Sequence, residues 1–130
     1  MSAPEIEIIT DPTEIRKRAA EILKVNAWVK FQFKGRLTDD EDSDVCYCAL
    51  GALREAAGYY RATDAQRGPI SDYRVIAETE EMRKTAIRVA EAAGQAAMTA
   101  AGLGSRDIVD WNDTIAQTRE DVVSVLLAGL

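Results

Sequence analysis

Apolar residues recur along this chain at two spacings, and the change of spacing divides it into elements. Behind Asp11-Pro12-Thr13-Glu14, residues Ile15, Ala19, Ile22 and Leu23 fall at i, i+4, i+7 and i+8, one face of an amphipathic helix. Asp11 supplies an N-cap acceptor, Pro12 the preset φ of the first helical position, and Glu14 a carboxylate able to reach back to the cap. Near Asn26 the period changes to two: Val29, Phe31 and Phe33 alternate with Lys30, Gln32 and Lys34 before Gly35. A short strand would show this pattern, but no second strand is legible nearby, so an extended connection over residues 28–34 is expected.

A second helical stripe follows, through Val45, Cys48, Ala49, Ala52, Leu53 and Ala56, with Gly58 as its stop. Leu50 widens the apolar face, which predicts a central helix. Gly51 in its middle is about 1 kcal/mol less favourable than Ala there, and is expected where another backbone or a large side chain packs directly on the helix. Tyr59 to Ile70, with Arg67-Gly68-Pro69, reads as a loop. Ser71 or Asp72 then caps a long helix from about Tyr73 to Ala101, with Gly94 a candidate kink. The rows Ala86-Ala90-Gly94 and Ala93-Ala97-Ala101 allow close helix approach and make a homodimer conceivable. Ile108 to Thr114 reads as a connection. Thr118-Arg119-Glu120-Asp121 then forms a capping box with Asp in the usual Glu position, and Val122, Val125 and Leu126 face inward. The expected fold is a compact all-α bundle of four or five helices over residues 12–130, preceded by an extended arm, residues 1–11.

Composition sharpens this picture mainly by exclusion. Of 130 residues, 21 are Ala, a helix-forming vocabulary, and none is His, which removes imidazole catalysis and nearly every ordinary zinc site. The N-terminus MSAPEIEIITDP has acids where a signal peptide needs bases, and the longest uncharged run, Ala92 to Ser105, is too short to span a bilayer. With two cysteines too close for a disulfide framework, a reduced cytoplasmic protein is expected, with no membrane association. The net charge of −6 disfavours nucleic-acid binding. That charge is uneven: Arg16 to Arg36 holds seven bases against Glu21, whereas Asp39, Asp40, Glu41, Asp42 and Asp44 crowd into six positions.

Each candidate motif fails a spacing test for chemistry. Asp40, Asp42 and Asp44 match the start of an EF-hand loop, but Val45 replaces its turn glycine and Gly51 its bidentate glutamate, so no metal is expected. Solvated acids at a helix N-terminus explain the run better. Cys46-Tyr47-Cys48 lacks redox spacing, and Cys48 reads as a small core residue. Gly102-Leu103-Gly104 follows a helix and lacks the third glycine of a dinucleotide loop, so no cofactor is expected. Trp111-Asn112-Asp113 reads first as a core plug beside a turn. The alternative is a polar pocket lined by Trp111, Asn112, Asp113 and Cys48. Spacing names no catalytic residue there, because Asp113 has no assignable second acid, metal or nucleophile.

Cys48-Ala49-Leu50-Gly51-Ala52-Leu53, Ile108-Val109-Asp110-Trp111-Asn112-Asp113 and the Thr118…Asp121-Val122…Leu126 helix resemble a pattern found in an uncharacterised family of small proteins from actinobacteria and their bacteriophages. The resemblance covers roughly residues 12–129. It implies a high-GC bacterial or phage setting and a meeting of Cys48, Gly51 and Trp111 in space; it transfers no catalytic residue. The leading functional expectation is a non-enzymatic accessory protein that binds a host or phage protein, or itself. Trp28, Phe31 and Phe33, flanked by bases, and the acids Asp39 to Asp44 are the candidate contact surfaces. Two alternatives remain, a ligand-binding or catalytic pocket near Trp111 and a nucleic-acid-mimicking acidic surface.

Overall fold

The computed structural model describes residues 6–38, 45–66 and 73–130, the side chains of 73–75 excepted. In chain order the elements are α1 (Pro12–Val25), β1 (Ala27–Trp28), β2 (Lys34–Arg36), β3 (Val45–Tyr47), α2 (Ala49–Ala57), α3 (Tyr59–Gln66), α4 (Tyr73–Ala100), α5 (Ile108–Thr114) and α6 (Arg119–Leu126). The fold is thus predominantly helical, with six helices among the described residues, but it is not purely α.

α1 begins as its cap dictates: the Asp11 side chain accepts from the Thr13 N–H at 3.1 Å, with Pro12 in the first turn. Glu14 turns away from the cap and pairs with Arg18 one turn on, at 2.9 Å. Ile15, Ala19 and Leu23 are fully buried. Arg16 joins them in the interior, donating through Nε to the Leu126 carbonyl at 3.0 Å and through Nη2 to the Ala128 carbonyl. One base of the positively charged N-terminal region therefore serves to satisfy the orphan carbonyls that end α6. Ahead of α1, Ile9 is buried and its N–H donates to the Ala57 carbonyl at 3.1 Å, laying the segment along the end of α2.

The small sheet corrects the reading of residues 28–34 and of Val45. Its strand order is β1-β3-β2, with β1 parallel and β2 antiparallel to β3. Trp28 and Lys34 both lie opposite Tyr47, and Ala27 and Gly35 opposite Cys46. Val45 belongs to the central strand, not to the second helix, which starts at Ala49 with Cys48 as N-cap. The alternating Val29, Phe31 and Phe33 occupy the loop between β1 and β2, so their period of two does not mark a strand with a buried face.

α2 is central, with Ala49 to Leu53, Ala56 and Ala57 buried, and it ends at Gly58 in the left-handed region at φ 104°. Two further corrections concern helices read as loops. Tyr59–Gln66 is α3, packed on α4, and Ile108–Thr114 is α5, packed on α2. α4 runs through Gly94 as one element; its proposed caps Ser71 and Asp72 lie outside the described residues. The alanine rows serve the chain's own core: Ala86, Ala90, Ala93 and Ala97 are fully buried as α4 crosses α1, α2, α3 and α6. At α6 the capping box forms as read, with Asp121 N–H donating to Thr118 Oγ1 and Thr118 N–H to Asp121 Oδ2, both at 3.1 Å.

Candidate functional site

The best-organised polar site is built where α5 meets the N-terminus of α2 and the loop between β1 and β2. Asp107 caps α5 by accepting from the Val109 N–H at 2.9 Å. Helical spacing then turns Ile108, Trp111 and Asn112 inward and leaves Asp113 at the margin. Asn112 is fully buried. Its Oδ1 accepts from Trp28 Nε1 at 2.7 Å and from the Ala49 N–H at 3.0 Å. Its Nδ2 donates to the Val29 carbonyl at 3.3 Å and to Asp113 Oδ1 at 2.9 Å. Two accepted and two donated bonds use the full capacity of one amide. Asn112 therefore ties strand β1, helix α2 and helix α5 together at a single point.

Asp113 extends this network to the loop. The Asp113 Oδ1 that takes the Asn112 amide also accepts the Phe31 N–H at 2.9 Å. Phe31 sits at φ 66°, the left-handed region that a bulky side chain rarely adopts, and the residue is 78% exposed. Two residues on, the Phe33 carbonyl lies directly against Gly51, occupying the space that any Cβ at position 51 would need. The glycine, which the structure places in the first turn of α2 and not in mid-helix, is explained by another backbone packing directly on it. The loop is thus fastened at Val29 by Asn112, at Phe31 by Asp113 and at Phe33 by Gly51, while the Phe31 ring projects into solvent and Phe33 is 40% exposed.

The base of the same loop is held by charge. Lys34 Nζ pairs with Glu55 at 3.2 Å and lies 4.6 Å and 5.6 Å from the ring centroids of Tyr60 and Tyr47. Tyr47 donates its hydroxyl to Glu55 at 2.9 Å. Burial, with that hydrogen bond second, pushes the Tyr47 hydroxyl well above its usual pKa, and burial does the same to Tyr60. Lys30, near the tip, places its ammonium 5.9 Å from the Trp28 ring.

Of the four residues read as a pocket, Asp113 and Cys48 line one small concavity, Asn112 bonds to Ala49 beside Cys48, and Trp111 packs in the same core as Cys48. The Cys48 Sγ accepts from the Gly51 N–H at 3.3 Å as the α2 cap. Burial pushes its thiol pKa up, so it is a protonated packing group at neutral pH. Trp111 is buried in the core, and the space beside Gly51 goes to Phe33. The concavity left beside Asp113 and Cys48 is about 200 Å3, closed by Phe31, Gln32, Phe33 and Val109. That is below the several hundred Å3 of an ordinary small-molecule site. Among the described residues, no three Cys, Asp or Glu side chains gather to hold a metal ion. The acids Asp39, Asp40, Glu41, Asp42 and Asp44 lie outside the described residues.

Sequence reading misses the role of one participant and the presence of another. Asp113 reads as a turn-former or base, whereas it anchors a loop through backbone, and backbone partners leave no trace in side-chain spacing. Arg54 is not singled out in sequence; its guanidinium stacks 4.3 Å from the Phe33 ring centroid and lies 5.5 Å from that of Tyr59.

The pattern that defines a family of unknown function, DUF6197, matches residues 9–129, from the buried Ile9 through the end of α6. The chain belongs to DUF6197. No curated protein and no solved structure matches this DUF6197 chain. Among its described residues no helix is long and apolar enough to cross a membrane. The elements that the Asn112 network joins, β1, α2 and α5, all lie within the DUF6197 match.

Proposed function

We propose that this DUF6197 protein is a cytoplasmic, non-enzymatic accessory protein that binds another protein through the loop of residues 29–33. The actinobacterial or phage setting is part of the same proposal, motivated by the Cys48-to-Leu53 and Trp111-Asn112-Asp113 resemblance. The observation that carries the reading is the presentation of Phe31. A phenylalanine at positive φ is strained by roughly 1–3 kcal/mol, and an exposed ring gains nothing from the chain's own core. Both features persist because Asn112 and Asp113 over-determine the backbone beneath them. A fixed backbone limits the ordering entropy that docking would cost, which favours an aromatic anchor entering a partner's apolar pocket. Lys30 beside the tip favours acidic residues at the rim of that pocket.

Affinity capture from lysate of the encoding cell tests the proposal, with wild type beside Phe31→Ala and Val25→Ala, the latter removing a different exposed apolar side chain. The reading expects a partner recovered with wild type and Val25→Ala and lost with Phe31→Ala. Because the contact is chiefly apolar, recovery should change little with added salt. Equal recovery by all three proteins, each folded by circular dichroism, counts against it.

A further inference from the structure

A second site shares Phe33 with the loop but does not use Phe31. We propose that the cleft between α2, α4 and the turn leading into α5 binds a small organic carboxylate through Arg54. The cleft encloses about 610 Å3, the size of an ordinary small-molecule site. Arg54 forms part of its wall, and its guanidinium lies over the Phe33 ring, 4.3 Å from its centroid, and 5.5 Å from that of Tyr59. The Arg54 Nε is buried with no hydrogen-bond partner, and among the described residues no carboxylate pairs with the guanidinium. Buried polar groups are almost always partnered, so a guanidinium without an acceptor in the wall of a cleft favours a ligand that brings one. A planar carboxylate matches the arginine fork with two parallel bonds, and the aromatic stacking already fixes the fork's orientation.

The rest of the wall defines the ligand's body and charge. Phe33, Leu50, Ile108 and Val109 are apolar and suit an aromatic or branched aliphatic group. Glu91 and Asp107 also line the cleft, opposed by Arg54 and Arg106, and Arg106 is drawn toward Asp110 at 4.0 Å. The four lining charges sum to zero, so a single negative charge is accommodated and a dianionic phosphate meets two repelling carboxylates.

Titration of the 15N-labelled full chain with sodium benzoate, followed by NMR, tests this assignment, with benzamide and inorganic phosphate as parallel probes. Benzoate at millimolar concentration should give saturable shifts at Leu50, Ile108 and Val109 and at the Arg54 Nε–H. Benzamide, which keeps the ring and loses the charge, should bind about tenfold more weakly or not at all, and phosphate more weakly than benzoate. Arg54→Gln should weaken benzoate binding about tenfold. Absence of saturable shifts overturns the proposal, as does equal binding of benzamide, tighter binding of phosphate, or unchanged affinity in a folded Arg54→Gln protein. Should that variant not fold, the wild-type Arg54 Nε–H resonance decides: a shift with benzoate alone supports the site, and an unmoved resonance overturns it.

Discussion

Phe31 and Asp113 lie 82 positions apart in the chain and are joined by one hydrogen bond, from the Phe31 N–H to Asp113 Oδ1 at 2.9 Å. The same oxygen receives the Asn112 amide, so the carboxylate links a buried polar hub to an exposed loop. Secondary structure as far apart in sequence as β1 and α5 is thereby made to position one solvent-facing aromatic ring. The strain at Phe31 and the bonds that hold it belong to the same arrangement, and each gives the other its physical explanation.

Removing the acceptor should free the loop without unfolding the chain. Asp113→Ala is expected to lower stability by about 1 kcal/mol and to speed hydrogen exchange at the Phe31 amide by about tenfold or more. Asp113→Asn keeps a carbonyl acceptor and should retain most of the protection. Native-state exchange followed by NMR checks both; equal exchange in the wild type and Asp113→Ala would show that the bond does not hold the loop.

Asn112→Ala should be more damaging. It leaves the Trp28 indole N–H and the Ala49 N–H without their acceptor and opens a cavity at a fully buried position. A loss of about 2–4 kcal/mol is expected, read as a shifted midpoint in urea. Asn112→Asp keeps the acceptors but places a second carboxylate beside Asp113. That variant should be destabilised at neutral pH and partly recover as acid protonates the pair.

Gly51→Ala reverses the usual helix rule. Alanine gains up to about 1 kcal/mol of helix propensity, but its Cβ would collide with the Phe33 carbonyl, which is backbone and cannot rotate aside. The expected net effect is destabilisation of about 1–3 kcal/mol, accompanied by loss of the Phe31 amide protection. A stabilised variant with the loop intact would contradict the packing described.

Alkaline pH should weaken the fold. Burial raises the pKa of Cys48, Tyr47 and Tyr60 above their ordinary values. Below about pH 7, where neither the folded nor the unfolded chain ionises these groups, their contribution to stability is fully present. As pH rises past about 8.5 for the thiol and about 10 for the phenols, the unfolded chain loses protons first and folding is progressively disfavoured. The Tm should therefore fall across this range, and Cys48→Ala should flatten its first part. Both thiols, buried in the native state, should resist Ellman's reagent at pH 8 until the chain unfolds.

The helices that can be read from sequence are those carrying an apolar stripe, joined at α1, α2 and α6 by a terminal signal: α1 behind Asp11-Pro12, α2 ahead of Gly58, α4 through its alanines, and α6 behind Thr118. α3 escapes because Ala62 is its one residue described as buried, so it has no stripe to detect. α5 escapes because seven residues carry too few repeats, and Asn112-Asp113 looks like turn chemistry. The sheet escapes for a related reason: its strands are two or three residues long, and the most strand-like alternation falls in the loop between two of them. At the site, Gly51 and Trp111-Asn112-Asp113 stand out in sequence, but their partners do not. The Phe33 carbonyl, the Phe31 N–H and the Ala49 N–H are backbone groups, present at nearly every position and distinguished only by the fold.

Photo-crosslinking from position 31 tests the central claim most directly. With p-benzoylphenylalanine in place of Phe31, irradiation in the encoding cell should yield a discrete adduct heavier than the 14.2 kDa chain, absent when the same group replaces the exposed Val25. An adduct of twice the chain mass would identify the partner as a second copy. No adduct at position 31, or the same adducts at both positions, would contradict a partner-binding role for the loop.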